Sequence, residues 1–129
     1  TVDSSTTLVN TVMTQAVAAN EVWAFSAILL MDGPGGVGFS VGVNGPASPT
    51  AIKAIANYWN NGVPSGGVAT AYGTIAYGAG ASGAEVGTVA GILTNGANAG
   101  TLAIQMANGL AAGITTLYAG SQCVFTRIS

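Results

Sequence analysis

The amino-acid sequence predicts an all-β protein that folds as an antiparallel β-sandwich. Glycine occurs 20 times in 129 residues, between short apolar runs and without a three-residue period, which excludes collagen and indicates frequent turns. Several of these runs alternate bulky with small or polar residues at the two-residue period of a strand. About seven or eight strands at this spacing are typical of a sandwich. The length predicts a single domain, residues 1–129.

The first strands are predicted in the N-terminal third of the chain. Residues 6–17 are rich in Thr and Val, which favours a strand. Residues 21–31 are apolar on both alternating faces, so we expect a central strand that is buried on both sides. Residues 37–43 place Val and Phe on one face and Gly and Ser on the other, which is the clearest strand pattern in the sequence.

Residues 49–61 allow two interpretations. Ile52, Ile55 and Trp59 recur at helical spacing after a Ser-Pro start, which predicts a possible short helix near residues 50–60. A strand fits almost as well, with alternate residues on one face: Ile52, Ala54, Ala56 and Tyr58. Residues 60–67 contain Asn, Gly and Pro and are predicted to form a loop.

The C-terminal half continues the strand pattern. Residues 68–75 alternate and predict a strand. Residues 86–94 and 101–107 flank a Gly/Asn-rich segment, which predicts a hairpin. The chain then closes with a short strand at residues 114–118, a turn, and a last strand at residues 122–128.

Charge is scarce in this sequence. Six side chains carry charge, or 5% of the residues, against about 25% in an average protein. Half of the residues are hydrophobic, so we expect much of the surface to be covered by copies of the chain or by a partner. Two cations cannot neutralise a run of phosphates, which argues against nucleic-acid binding. The charged residues are Asp3, Glu21, Asp32, Lys53, Glu85 and Arg127.

Membrane insertion is not expected. The longest apolar run, residues 22–31, is about half of what a membrane-spanning helix needs, and Ser26 interrupts it. The first twenty residues show no basic segment followed by an apolar one, so no signal peptide is visible.

Two motifs resemble known sites, but their context argues against both. Residues 33–38 match G-x-G-x-x-G, yet a predicted strand follows where a nucleotide-binding motif needs a helix. Residues 38–42 match G-x-S-x-G, but the sequence has no histidine to activate Ser40, which alternates within the predicted strand. We therefore expect a glycine-rich hairpin loop and a strand, with no cofactor.

The remaining reactive residues do not predict catalysis or metal binding. Glu21, Asp32 and Glu85 are far apart in sequence, and their spacing pairs no two carboxylates. Cys123 is alone, which excludes an internal disulfide and a multi-cysteine zinc site, and we expect a small buried residue in the last strand. We predict no catalytic residue, no metal site and no enzymatic activity.

Two aromatic residues stand out as candidates for an interface. Most of the Trp, Tyr and Phe residues lie inside alternating strands and are expected in the core. Tyr58 and Trp59 instead lie next to a polar, glycine-rich segment, and Tyr and Trp often anchor protein interfaces. We predict that Tyr58 and Trp59 contact a partner.

The sequence resembles small, jelly-roll-like, trimeric β-domains of tailed-bacteriophage structural proteins, which occur as capsid decoration or cement proteins and as fibre tips. Residues 48–67 depart from the family's pattern. The resemblance is carried by Ser-Thr-Thr-Leu-Val-Asn at residues 5–10, the strand at residues 22–30, Gly-Phe-Ser-Val-Gly-Val-Asn-Gly-Pro-Ala at residues 38–47, residues 91–105 and the ending at residues 119–127.

This resemblance implies a jelly-roll-like β-sandwich that forms a homotrimer in the virion. The leading hypothesis is a decoration or cement protein on the capsid surface that stabilises the particle by packing on the major capsid protein. The alternative is the distal domain of a phage fibre or spike that binds a host-surface glycan. The sequence shows no collagen-like or heptad stalk, which favours the first hypothesis.

Overall fold

The computed structural model describes residues 2–3, 6–33, 38–60, 63–78, 83–109 and 113–129. These residues form eleven β-strands and no helix, so none of them belongs to a helix that could span a membrane. The strands are β1 (Val2–Asp3), β2 (Val9–Val17), β3 (Val22–Gly33), β4 (Phe39–Asn44), β5 (Ala51–Asn60), β6 (Val63–Ala69), β7 (Gly73–Gly78), β8 (Gly83–Thr94), β9 (Gly100–Asn108), β10 (Ile114–Leu117) and β11 (Gln122–Arg127).

The strands form two antiparallel sheets that pack face to face, which confirms the predicted β-sandwich. The large sheet has seven strands in the order β1-β10-β3-β8-β5-β6, and β11 also pairs with β3. The small sheet has four strands in the order β2-β9-β4-β7. β10 and β11 lie end to end along β3, joined by a turn in which Gly120 has a φ of 100°, a conformation that favours glycine.

The connectivity is that of a jelly roll, a long antiparallel ribbon rolled into two sheets. β1 pairs with β10, β2 with β9, β3 with β8, and β4 with β7, and successive pairs alternate between the large and small sheets. The hairpin β5–β6 forms the tip of this ribbon and extends the large sheet beyond β8. It overlaps most of residues 48–67, the segment in which the predicted helix and loop were placed.

The core lies between the sheets, where alternate residues of each strand meet. In β3 these are Phe25, Ala27, Leu29 and Met31, and Val89 and Leu93 of β8 lie beside them. Burying such side chains contributes about 1.5 to 3 kcal/mol each. The small sheet supplies further core residues: Val17, Phe39, Val41, Val43, Leu102 and Ile104.

The helix considered near residues 50–60 is absent, and that prediction is wrong. Ala51–Asn60 forms strand β5, which pairs with β8 on one side and β6 on the other. The alternation decides between the two interpretations because every second side chain enters the core. The inward residues are Ile52, Ala54, Ala56 and Tyr58.

Three other local predictions are also corrected. Residues 95–100 do not join a hairpin, because β8 belongs to the large sheet and β9 to the small one. The strand predicted at residues 68–75 is divided between β6 and β7. The predicted loop at residues 60–67 is largely strand, because β6 begins at Val63. Strand pairing decides all three, because β8 and β7 pair with strands distant in sequence and β6 pairs with the preceding strand β5.

Asn95 joins three loops at one end of the sandwich. The side chain is 3% exposed, and its Nδ2 donates hydrogen bonds of 2.8 Å to the carbonyl oxygens of Ala18 and Asn98. The main-chain carbonyl oxygen of Asn95 accepts a hydrogen bond from the Thr50 hydroxyl. Because the amide is buried with its donors satisfied, it fixes where the chain crosses between the sheets.

Asn95→Asp is expected to destabilise the protein strongly. The substitution places a carboxylate oxygen against the carbonyl oxygens of Ala18 and Asn98, and each lost buried hydrogen bond costs about 1 to 3 kcal/mol. Urea denaturation measures the loss. Asn98→Asp is the matched control, because its exposed amide donates only to Ala47 among the described contacts. Equal losses in the two variants would contradict the role given to Asn95.

Candidate functional site

The outer face of the large sheet exposes large apolar side chains. Strands β3, β5, β6 and β8 place one set of residues in the core and the alternate set on this face. We call the large apolar residues that these four strands expose on this face the apolar patch. Its members and their exposed fractions are Ile28 42%, Ile55 46%, Trp59 56%, Val68 76%, Val86 50% and Ile92 49%.

The strand register makes the patch continuous. Ile55 of β5 lies opposite Val68 of β6 on one side and opposite Ala90 of β8 on the other. Ile92 lies opposite Lys53. Directly opposed residues of an antiparallel pair share a face and have Cβ atoms about 5 Å apart. Ile55, Val68 and, diagonally, Ile92 therefore lie side by side across β5, β6 and β8, and Ile28 lies on the same face of β3, opposite Thr88.

Two grooves cross this surface, one on each side of a ridge formed by Ile55 and Val68. The larger has a volume of about 630 Å³ and is floored by Ala90 and Gly91, with Ile92 on its far side. The smaller, of about 410 Å³, lies over Asn57, Pro64 and Gly66. Small residues in the middle of the strands create the grooves, because they leave the flanking apolar side chains standing above the sheet.

The patch is almost uncharged. Lys53, at the edge of the larger groove, is the charged residue among the described lining residues. Arg127 lies elsewhere and pairs with Glu21, with 3.0 Å between Arg127 Nη1 and Glu21 Oε1. The surface can therefore contribute mainly apolar burial to a complex, with Lys53 at the edge of the larger groove and Asp32 on the same face at the end of β3.

The two aromatic residues predicted at the interface point in opposite directions. Tyr58 is 6% exposed and packs edge-on against Phe39 in the core, with ring centroids 5.3 Å apart. Trp59, the next residue, lies on the outer face and belongs to the patch. The alternation of β5 separates them, so only Trp59 is placed to contact a partner directly.

The remaining patch residues were missed by the sequence reasoning, although a signal for them was present. β3 was predicted to be buried on both faces, but Ile28 on its outer face is 42% exposed in the single chain. β5 and β8 likewise carry Ile or Val on both faces. Apolar residues on both faces of neighbouring strands are the signal from which an exposed apolar face of the large sheet could have been predicted.

The carboxylates of Asp32 and Glu85 lie in neighbouring strands, which their sequence separation did not predict. Asp32 is opposite Ala84 and Glu85 is opposite Met31, so alternation directs the two side chains to opposite faces. Burial raises the pKa of Glu85, and the charge of Asp32 adds to this effect. The Tyr118 hydroxyl donates a hydrogen bond of 3.0 Å to Asp32. Asp32 and Glu85 therefore do not form a pair of facing carboxylates. The lack of enzymatic activity stays a prediction.

The other sequence candidates lie in structural positions. Ser40 is buried within β4, between β7 and β9, and no helix follows it in the described chain. Most of the G-x-G-x-x-G motif lies outside the described residues. Cys123 is in β11, as predicted, but is only half-buried, and burial raises its pKa to about 11. The described residues contain no cluster of three potential metal ligands.

Glu21 fixes the chain ends of β2, β3 and β11. Its Oε2 accepts hydrogen bonds from Trp23 Nε1 at 2.9 Å and from the Ala18 backbone N–H at 2.8 Å. These bonds lower the pKa of Glu21, and Arg127 contributes a smaller effect. These contacts hold the ends of the three strands together, and Glu21 does not belong to the apolar patch.

No protein-family model, no curated protein and no solved structure matches this chain.

Glu21→Gln is expected to make the protein less sensitive to acid. The folded state holds the pKa of Glu21 below its ordinary value of 4.5. The carboxylate therefore stabilises the fold above that value, and this contribution is lost as the pH falls through the lowered pKa. Urea denaturation at a series of pH values from about 6 down to about 3 measures the change.

Glu85→Gln is the control, because its expected effect on the acid sensitivity of folding is opposite to that of Glu21→Gln. The pKa of Glu85 is raised in the folded state, so this carboxyl group favours folding more as the pH falls, and its removal should steepen the acid-induced loss of stability. An acid profile of Glu21→Gln identical to that of the unmodified protein would contradict the role of Glu21.

Proposed function

We propose that this protein is a structural component of a virus particle, a capsid decoration protein that packs on copies of itself and on the major capsid protein. The observation that carries the proposal is the apolar patch, whose six large side chains are each at least 42% exposed in the single chain. A continuous exposed apolar surface is unfavourable in water and marks an interaction site. The resemblance to phage structural domains supplies the kind of assembly.

The dimensions of the face suit a protein partner. Four strands about 4.8 Å apart and a length of six residues at about 3.3 Å each give a surface of roughly 19 Å by 20 Å. This is about half of the roughly 800 Å² that each partner contributes to a standard-size complex, so the patch can form the apolar centre of such an interface. Apolar burial at about 25 cal/mol per Å² then supplies the attraction, with little contribution from ion pairs.

A fibre-tip domain that binds a glycan is less well supported by this surface. Sugar sites combine an aromatic platform with several convergent polar groups that bind hydroxyls. Trp59 could serve as a platform, but the larger groove offers only the side chains of Lys53 and Thr94 as polar partners among its described lining. The trimer implied by the resemblance is compatible with either function, so it does not discriminate between them.

The copy number per particle tests the proposed function. Quantitative mass spectrometry of purified virions, scaled to the major capsid protein, should find the chain at on the order of hundreds of copies, as repetition over a symmetric shell requires. A few dozen copies or fewer would favour the fibre. Absence from purified particles would refute a virion role altogether.

Trp59→Ala is expected to weaken self-association or attachment without changing the melting temperature. A Trp at an interface often contributes about 2 kcal/mol or more of binding free energy, so its removal raises the dissociation constant about thirtyfold. Phe39→Ala, at a core position that is 3% exposed, should instead lower the free energy of unfolding by about 3 to 5 kcal/mol. Sedimentation and thermal denaturation measure both effects, and equal melting losses with association intact would refute this assignment.

Attachment is expected to resist salt and moderate changes of pH. The chain has no histidine to titrate between about pH 5.5 and 7.5, and Lys53 is the one charged residue in the described lining of the larger groove. Washing purified particles in about 1 M NaCl shortens the screening length to about 3 Å but leaves apolar burial intact. Release of most copies would show that ion pairs hold the complex and would contradict packing through the patch.

A further inference from the structure

The open edge of strand β11 differs from the other sheet edges. Among the described strands, only β3 pairs with β11. β1 is two residues long. β2 has a register shift between Asn10 and Thr14. β6 carries Pro64, and its Gly67 lies against the Ile75 carbonyl of β7. Short strands, bulges, prolines and covering segments are the features by which proteins prevent edge pairing.

β11 has none of these features. It pairs with β3 in unbroken register over six residues, from Gln122 opposite Ile28 to Arg127 opposite Trp23. Residues 122–126 contain no charge and no proline, and Val, Phe and Thr are strong strand formers. Val124, on the outer face, is 61% exposed. The edge is therefore suited to accept another strand.

The hydrogen bonds of β3 show which main-chain groups of β11 point outward. Tyr118 N–H donates to the Leu30 carbonyl and Ile128 N–H donates to the Val22 carbonyl. The main-chain N–H and C=O groups of the even-numbered residues of β3 therefore point toward β10 and β11. Their opposite residues in β11 are also even-numbered. The N–H and C=O groups of Cys123 and Phe125 consequently point away from the sheet.

We propose that β11 pairs antiparallel with β11 of a second copy of this chain, about a two-fold axis at Val124. In this register Cys123 lies opposite Phe125 of the second copy, and these residues exchange main-chain hydrogen bonds on both sides of the axis. Val124 lies opposite its own equivalent, and Gln122 lies opposite Thr126. Residues 122–126 contain no charged side chain, so no like charges oppose each other in this register. The β-branched pair of Val124 residues lies at its centre, on the two-fold axis.

This contact joins two large sheets into one and is independent of the proposed viral role. A two-fold axis perpendicular to the sheet keeps both apolar patches on the same side, so the dimer presents a doubled surface to a partner. Edge pairing and patch contacts use different parts of the protein, and each can be removed without the other.

Disulfide crosslinking tests the register. Val124→Cys in a Cys123→Ala background places two thiols at a directly opposed, non-hydrogen-bonded position, where Cα atoms are about 4.5 Å apart and a disulfide can form. Mild oxidation of the purified protein should give a reducible dimer about tenfold or more faster than the control, because pairing raises the local thiol concentration. The control is Val12→Cys in the same background, since Val12 is 93% exposed on the small sheet.

Cys123→Pro provides the second measurement. The Cys123 N–H points outward, so proline removes the bond to the second copy without removing one to β3. Sedimentation equilibrium should show a dimer dissociation constant raised about tenfold or more, with the strand content unchanged. Crosslinking of Val124→Cys no faster than of Val12→Cys would overturn the proposal even if the proline variant fails to fold. Patch variants such as Trp59→Ala should leave the Val124 crosslink intact, which separates this contact from the proposed function.

Discussion

The antiparallel pairing of β3 with β8 is the interaction on which the rest of the structure depends. It runs without interruption from Val22 opposite Thr94 to Gly33 opposite Gly83. β5 adds to the free side of β8, and β10 and β11 add to the free side of β3. Because the register of each added strand follows from this central ladder, it determines both which residues enter the core and which form the apolar patch.

Small residues within the large sheet connect packing on the inner side with shape on the outer side. A Cβ atom at Gly91 would lie 2.6 Å from Phe25 Cζ and 2.5 Å from the Lys53 carbonyl oxygen. Glycine is therefore required for the core aromatic ring and the β5 backbone to approach β8. The same strand places Ala90 and Gly91 at the floor of the larger groove, so close internal packing and an indented outer face arise from one feature of the sequence.

Polar interactions are concentrated at the ends of the sandwich, away from the patch. The buried Asn95 amide donates to the carbonyl oxygens of Ala18 and Asn98, the main chain of Asn95 accepts from Thr50, and Glu21 binds Trp23 and Arg127. At the other end, the buried Asn108 side chain donates to the Gly113 carbonyl at 2.6 Å and accepts a hydrogen bond from Thr115. These contacts orient the connections between sheets while leaving the outer face of the large sheet almost free of charge. Specificity of folding and capacity for association thus occupy separate parts of the molecule.

The sequence by itself determined the all-β class and several of the strands, because these follow from local alternation and glycine frequency. It also contained both interpretations of residues 49–61, and the core alternation of Ile52 through Tyr58 was already visible in one of them. Only the tertiary structure decided that residues 95–100 cross between sheets, that Tyr58 is buried while Trp59 is exposed, and that Ile55, Val68 and Ile92 share one surface. The physical reason is that strand pairing joins residues distant in sequence, and a two-residue period shows two faces without showing which one the rest of the chain covers.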